Sequence, residues 1–231
     1  MRISRRALAI AAIALMPALA SAQEAAGPGL AAMGEDPAIY LEIRKEIEDK
    51  IKEIKQDEKA HQEMMEEGRA RTVLCKTCHG PDGMSVKEGV PNLAGQNPAY
   101  IVDQFLRFGD GRRTNYLMSG LAKSFSKEDK LKIALYFASL PNRVSGGGKP
   151  ELQAKGKEIF ATTCAGCHGA DGHGEEGYAR LAGQRFDYVV KMLHEFKDRT
   201  GRRINPWMSS VALKLSDEEI DAVATYVANL K

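Results

Sequence analysis

Four cysteines and two histidines fall into one pattern that is used twice. The first copy is Cys75-Lys76-Thr77-Cys78-His79 and the second is Cys164-Ala165-Gly166-Cys167-His168. A C-x-x-C pair followed at once by His is the attachment signal of c-type haem. The two thiols bond the porphyrin edge, and the adjacent imidazole is placed to ligate its iron. The motifs lie 89 residues apart and use every cysteine in the chain, which points to two covalently attached haems and one-electron chemistry. Two disulfides would leave the His after each pair unexplained. A zinc ribbon separates its C-x-x-C pairs by about 15–20 residues, whereas 85 residues run from His79 to Thr163.

Haem iron that only carries electrons needs a ligand on each face. His79 and His168 are the proximal candidates. Met118 lies 39 residues after His79 and Met208 lies 40 after His168, and each sits eight residues before a serine, Ser126 or Ser216. A Met opposite His raises the potential and leaves no open position for substrate. Most methionines are core filler, but equivalent placement in both halves argues for ligands here. Met84 is too close to its motif to reach over the ring, and Met192 has the spacing of a core residue. His61, His173 and His194 have no equivalent in the other half.

The motifs head an internal repeat. Leu93-Ala94-Gly95-Gln96 returns as Leu181-Ala182-Gly183-Gln184, Tyr100 as Tyr188, Arg112-Arg113 as Arg202-Arg203, Tyr136 as Tyr226 and Leu140 as Leu230. Order is kept and the offset drifts by only two residues, so two homologous domains are expected, over 67–140 and 151–231. The segment 141–150 between them carries Ser145-Gly146-Gly147-Gly148, a flexible-linker signal. Each unit is small for an unaided core, and a covalently held haem would supply apolar surface.

The elements that must position these residues read as helices throughout, an all-α fold. Pro98 to Phe108 and Phe186 to Asp198 carry helical apolar spacing. Ser126-x-x-Asp129 and Ser216-x-x-Glu219 mark helix starts, running on to Leu140 and Leu230. The stretch 23–66 is a charged helical arm, in which Tyr40, Ile43, Ile47, Ile51 and Ile54 recur at three- and four-residue steps behind Pro37. It reads either as a solvated helix laying a narrow stripe on the domains or as a coiled-coil or docking helix that mediates an oligomer or complex. His61 and Gly68 continue the heptad seam poorly.

The first 22 residues read as a secretory signal peptide: Arg2, Arg5 and Arg6, an apolar run from Ala7, and an A-x-A site with cleavage after Ala22. No later run is long enough to span a bilayer. Removing three arginines takes the formal charge from +2 to about −1, which excludes nucleic acid as an electrostatic partner. Residues 35–71 hold 12 acidic and 8 basic side chains, while the rest, from Thr72, holds 18 and 22.

The run C-x-x-C-H-G, then L-A-G-Q with Tyr four residues on, then a basic pair, a Met and a final helix opening S-x-E, resembles class I cytochrome c. Its duplication resembles the dihaem cytochrome c4 family, over about Glu67 to Lys231. The resemblance implies two tandem class I cytochrome c domains, here preceded by a long charged N-terminal helix. It implies two His/Met-ligated irons passing electrons in the periplasm, often toward a terminal oxidase. It also implies that the loops around Pro91-Asn92-Leu93 and Ala179-Arg180-Leu181 line the haem faces. Arg112, Arg113, Arg202 and Arg203 are then propionate counter-ions or simply a solvated turn. Tyr100 and Tyr188 pack on haem, bond a propionate, or fill core.

Electron carriage needs no substrate pocket, base or nucleophile, and the sequence offers none. Dihaem peroxidases need a displaceable ligand, and thiosulfate-oxidising cytochromes a distal Cys; two methionines and no spare cysteine oppose both. The expectation is a non-enzymatic, periplasmic carrier between redox protein partners such as a dehydrogenase or terminal oxidase. Lys76, Lys87 and Lys123 are either docking charges or plain surface. The alternative is a cytochrome subunit of a larger dehydrogenase or oxidase, attached through the arm.

Overall fold

Helices begin where the sequence supplies caps. The structure, a computed structural model, describes residues 37–174 and 177–231, with side chains from Glu42 onward. The expected signal peptide and the first part of the arm lie outside the described residues. Among the described residues the fold is helical and has no strand, only one isolated bridge between Arg113 and Arg203.

The arm is helix α1, Pro37–Gln56, which stops at Asp57. Asp57 caps α2, Glu58–Arg71, accepting from the Ala60 amide at 3.0 Å, and α3, Val73–His79, carries the first attachment motif. Then come α4, Pro98–Asp110, α5, Tyr116–Ser124, and α6, Lys127–Ser139. The second repeat supplies α7, Gln153–Ile159, α8, Ala165–His168, α9, Phe186–Lys197, α10, Pro206–Ala212, and α11, Asp217–Asn229. Ser126 and Ser216 each close a capping box with the acid three residues on, as their spacing predicts.

Two equivalent cores follow. In the first repeat Ile101, Phe105, Phe108, Ile133 and Phe137 are buried together. In the second, Phe160, Val189, Leu193, Ile220, Val223 and Val227 form the counterpart. Each core depends on a helix crossing at a glycine. A Cβ on Gly68 would fall on the Lys132 carbonyl of α6, and one on Gly156 would fall on the Ala222 carbonyl of α11. Gly68 is therefore not a break in a seam but the equivalent of Gly156. The expected boundary between 66 and 67 lies inside α2, whose C-terminal half does in the first repeat what α7 does in the second.

Four residues after each glycine stands a fully buried side chain, Thr72 or Phe160. Cys75 comes three positions after Thr72, but Cys164 comes four positions after Phe160. The extra residue is absorbed by a π-helical turn, Phe160–Cys164, the usual accommodation of a one-residue insertion in a helix.

The C-terminal part of the α1 apolar stripe is used within the chain, while Ile43 is exposed. Ile51 and Ile54 are buried with Ala99 and Leu135 of the first repeat, and Ile47, Met64 and Met65 pack against them. This is the stripe-on-domain reading of the arm. The 141–150 segment is not loose despite its glycines. The Ser145 hydroxyl donates to the Gly183 carbonyl at 2.8 Å, the Gly146 amide to the Ala228 carbonyl at 2.9 Å, and the Lys149 amide to Thr225 Oγ1 at 3.0 Å.

Candidate functional site

Each attachment motif ends a helix at a glycine of positive φ, Gly80 (86°) or Gly169 (80°). The chain turns there, and the following loop comes back over the histidine. His79 Nδ1 donates to the Pro91 carbonyl at 2.9 Å, and His168 Nδ1 donates to the Ala179 carbonyl at 2.9 Å. A carbonyl can only accept, so the proton sits on Nδ1 and the Nε2 lone pair is left for a metal. Both rings are buried, and burial holds both pKa values below the ordinary histidine value, favouring the neutral, ligating form. The two loops expected to line the haem faces are thus the ones that orient the imidazoles.

No disulfide joins any of the four cysteines, so all four sulfurs are left for haem attachment. Before haem is attached, burial pushes the Cys75 thiol up and the Cys164 thiol up to about 11. Cys75, Leu93 and Met118 border the first core, and Cys164, Leu181 and Met208 border the second. Motif, loop and methionine of each repeat thus share one core. The methionines stand in the first turns of α5 and α10, where Asn115 and Asn205 cap the helix by accepting from the Met118 and Met208 amides, each at 3.1 Å. Exposed apolar side chains stand next to these residues in sequence: Val73 and Leu74 before Cys75, Tyr116 and Leu117 before Met118, and Trp207 before Met208. Two thiols, a fixed neutral imidazole and a thioether beside one apolar core suit a covalently held haem in each repeat.

The basic pairs and tyrosines that recur in both repeats do more than the sequence suggests. Arg113 Nη2 donates to Tyr188 Oη at 2.9 Å, and Arg203 Nη2 donates to Tyr100 Oη at 2.6 Å. Each bond crosses from one repeat to the other. The backbones join as well: the Thr114 amide donates to the Arg202 carbonyl at 2.8 Å and the Ile204 amide to the Arg112 carbonyl at 2.7 Å. The Arg112 side chain pairs with Asp110 at 2.6 Å, whereas Arg202 is exposed. Burial opposes ionisation of Tyr188, but Arg113 and Arg203 outweigh it and hold its phenol below the usual tyrosine value.

Sequence reasoning left Gln96 and Gln184 without a role. Gln96 accepts from the Arg180 amide at 2.6 Å and donates to the Arg180 carbonyl at 2.9 Å. Gln184 makes the same two bonds to Asn92, at 2.8 and 3.0 Å. Each amide thus grips the other repeat's backbone one residue beyond the carbonyl that holds a histidine. The signal was present: a polar residue kept after the same Leu-Ala-Gly in both repeats. Lys76 stacks on Tyr136 at 5.1 Å, and the exposed Lys87 reaches Cys78 Sγ at 3.6 Å.

Comparison with known proteins matches residues 153–231 to the cytochrome c family model. Helical repeats, two attachment motifs and this match define the class, a dihaem c-type cytochrome that transfers electrons and carries two covalently attached haems. The chain belongs to the cytochrome c4 family. It is 37% identical over 175 residues to cytochrome c4 of Pseudomonas aeruginosa, covering 71% of this chain and 87% of that protein. The crystal structure of reduced recombinant cytochrome c4 from Pseudomonas stutzeri superposes with a TM-score of 0.67 at 32% identity, covering 72% of this chain and 98% of that one. A thiosulfate dehydrogenase electron acceptor of Thiomonas intermedia is 33% identical, covering 67% of this chain and 77% of its own length. No helix among the described residues is long and apolar enough to cross a membrane.

Proposed function

We propose that the chain is an exported, periplasmic carrier that passes single electrons between protein partners and turns over no substrate of its own. In this reading His79 and Met118 ligate one iron, His168 and Met208 the other, in domains spanning 67–140 and 151–231. The observation that carries it is the equivalence of the two sites: one carbonyl fixes each imidazole, and the methionine of the same repeat borders the same core. Haem, when bound, supplies a one-electron iron couple. Cys75, Cys78, Cys164 and Cys167 hold it, and the Pro91 and Ala179 carbonyls orient the ligating rings. Met118 and Met208 would supply the second protein ligand of each iron and so leave no position for substrate.

Tyr100 and Tyr188 accept from arginines and keep their own O–H to donate to a propionate. Arg113 and Arg203 lie beside those phenols and supply positive charge there, whereas Arg112 pairs with Asp110 and Arg202 is exposed, so these two are the outer counter-charges of the seam. Export rests on the basic and apolar pattern of residues 1–22. The relative that accepts electrons from thiosulfate dehydrogenase suggests a dehydrogenase as donor, with a terminal oxidase as acceptor. The arm buries Ile51 and Ile54 on the first repeat while Ile43 stays exposed, and the buried part of the stripe favours a free carrier over a subunit attached through that part of α1.

A reductive titration of the holo-protein tests this. The carrier takes up two electrons per chain in one-electron steps and shows no steady turnover with peroxide or thiosulfate. Catalytic turnover with either, or co-purification from the native source as a fixed subunit of a larger complex, overturns it.

A further inference from the structure

Helix α1 touches both repeats. Ile51 and Ile54 bury on the first. Two turns earlier, Arg44 is only 7% exposed, although its neighbours Lys45 and Glu46 are exposed. Its guanidinium lies over the Tyr178 ring, 4.1 Å from the centroid. The stem passes over Gly177, where a Cβ would stand 2.6 Å from Arg44 Cγ. Gly177 has a φ of +74°, so the position demands glycine for its conformation as well as its space. The Tyr178 ring in turn meets His168 edge-on, with centroids 6.1 Å apart and planes at 67°. The next residue, Ala179, supplies the carbonyl that holds His168 Nδ1. Arg44, Tyr178 and His168 therefore form one continuous stack.

The first repeat has no such stack. Gly89 and Val90 occupy the equivalent positions, 88 residues earlier. Val90 offers no ring, and what approaches Gly89 is the end of the exposed Lys191 side chain, 3.3 Å from a Cβ built there. The molecule thus contains its own control: two equivalent histidines, only one of them backed by an aromatic ring and a buried cation. Glu48, one turn after Arg44, also lies by Gly177, with Oε1 3.1 Å from the same Cβ position, and its charge opposes that of Arg44.

We propose that Arg44 is a positioning residue for the second redox centre, holding Tyr178 against His168 and raising that centre's reduction potential alone. The proposal rests on the reading of His168 as an iron ligand. Reduction adds one electron, and so one negative charge, to the centre. A fixed cation nearby favours the reduced form, and burial keeps that cation from being screened. The stack supplies both halves of the effect: cation–π attraction pins the ring, and the ring carries the charge's position to one imidazole.

Redox titration of the full-length holo-protein tests this with Arg44→Met and Arg44→Lys. Arg44→Met lowers one of the two waves by roughly threefold to tenfold in its one-electron equilibrium constant; tenfold is about 59 mV for a single electron. The wave that moves is the one Met208→His displaces, while the other stays within about twofold. Arg44→Lys keeps most of the wild-type potential, and Glu48→Gln moves the same wave upward. A purely structural clasp would lower thermal stability and leave the waves in place. The proposal is overturned if Arg44→Met moves neither wave, moves both alike, moves the other wave, or is matched by Arg44→Lys. If Met208→His displaces neither wave, the ligand reading has failed, and the Arg44 result is still judged on whether one wave moves alone.

Discussion

Arg113 of the first repeat bonds the phenol of Tyr188 in the second, Nη2 to Oη 2.9 Å, at a buried seam where Arg203 reaches the same oxygen at 3.3 Å. Arginine has no acceptor, so the phenol must accept, and two cations converge on one oxygen. Tyr188→Phe removes that acceptor from both. The loss of a hydrogen bond to a charged group costs about 1.5–3 kcal/mol, read as the drop in unfolding free energy of the holo-protein in urea. The pH dependence has a defined sign. The folded-state pKa of Tyr188 lies below its unfolded value, so its contribution grows as pH rises toward the ordinary tyrosine value near ~10 and is lost as pH falls through the folded value. The stability gap between wild type and Tyr188→Phe widens from pH 8 to pH 10, both values being about the useful limits of the titration. A gap that narrows contradicts the arrangement.

Helix positions, caps and the repeat were legible because they depend on local chemistry. Ser126 and Ser216 announce helix starts with an acid three residues on. The interface was not legible. Arg113, Tyr188, Gln96 and Gln184 recur in both halves, and recurrence alone cannot distinguish a haem contact from a contact between repeats. The role of Gly68 was hidden for a related reason. In sequence it interrupts a heptad seam, and only its packing on Lys132 of α6 shows that a close backbone approach requires it. The linker glycines failed in the opposite direction: Gly148 is held against Thr225, with a Cβ 2.9 Å from Thr225 Cα.

The glycine crossings carry the second prediction. Gly68→Ala and Gly156→Ala each drive a methyl into a backbone carbonyl that cannot swing aside, so each destabilises by about 1–3 kcal/mol, the cost of overpacking. Gly109→Ala, on a helix with nothing near its Cβ position, is neutral or stabilising by up to about 1 kcal/mol. Urea midpoints rank the three. Equal midpoints would remove the crossings from the account.

The amide clasps carry the third. Gln184→Leu leaves the Asn92 amide and carbonyl buried without their partners, as Gln96→Leu does for Arg180. Each costs about 1–3 kcal/mol. Because the loss falls on the seam, the two repeats separate in thermal unfolding: one calorimetric transition becomes two. A single transition, unmoved, contradicts the clasp.

The caps give a fourth, simpler expectation. Ser126→Ala and Ser216→Ala each lose a side-chain bond to the third helical amide, at 3.0 and 3.2 Å. Each costs about 1 kcal/mol. The sites lie in different helices of different repeats, so the double variant shows the sum. The thermal midpoint of the double variant is the readout, and a strongly non-additive value would mean that the caps act on the seam rather than locally.

The pairing of each histidine with the methionine of its own repeat is the centre of the account, and one measurement tests it most directly. The oxidised holo-protein is expected to show the sulfur-to-iron absorption band of methionine-ligated haem. Met118→His and Met208→His should each remove about half of that band and lower one reduction wave, and the double variant should remove all of it, since a harder nitrogen ligand replaces sulfur and lowers the potential. If both single variants keep the full wild-type band, Met118 and Met208 are not the ligands and the account is wrong at its core.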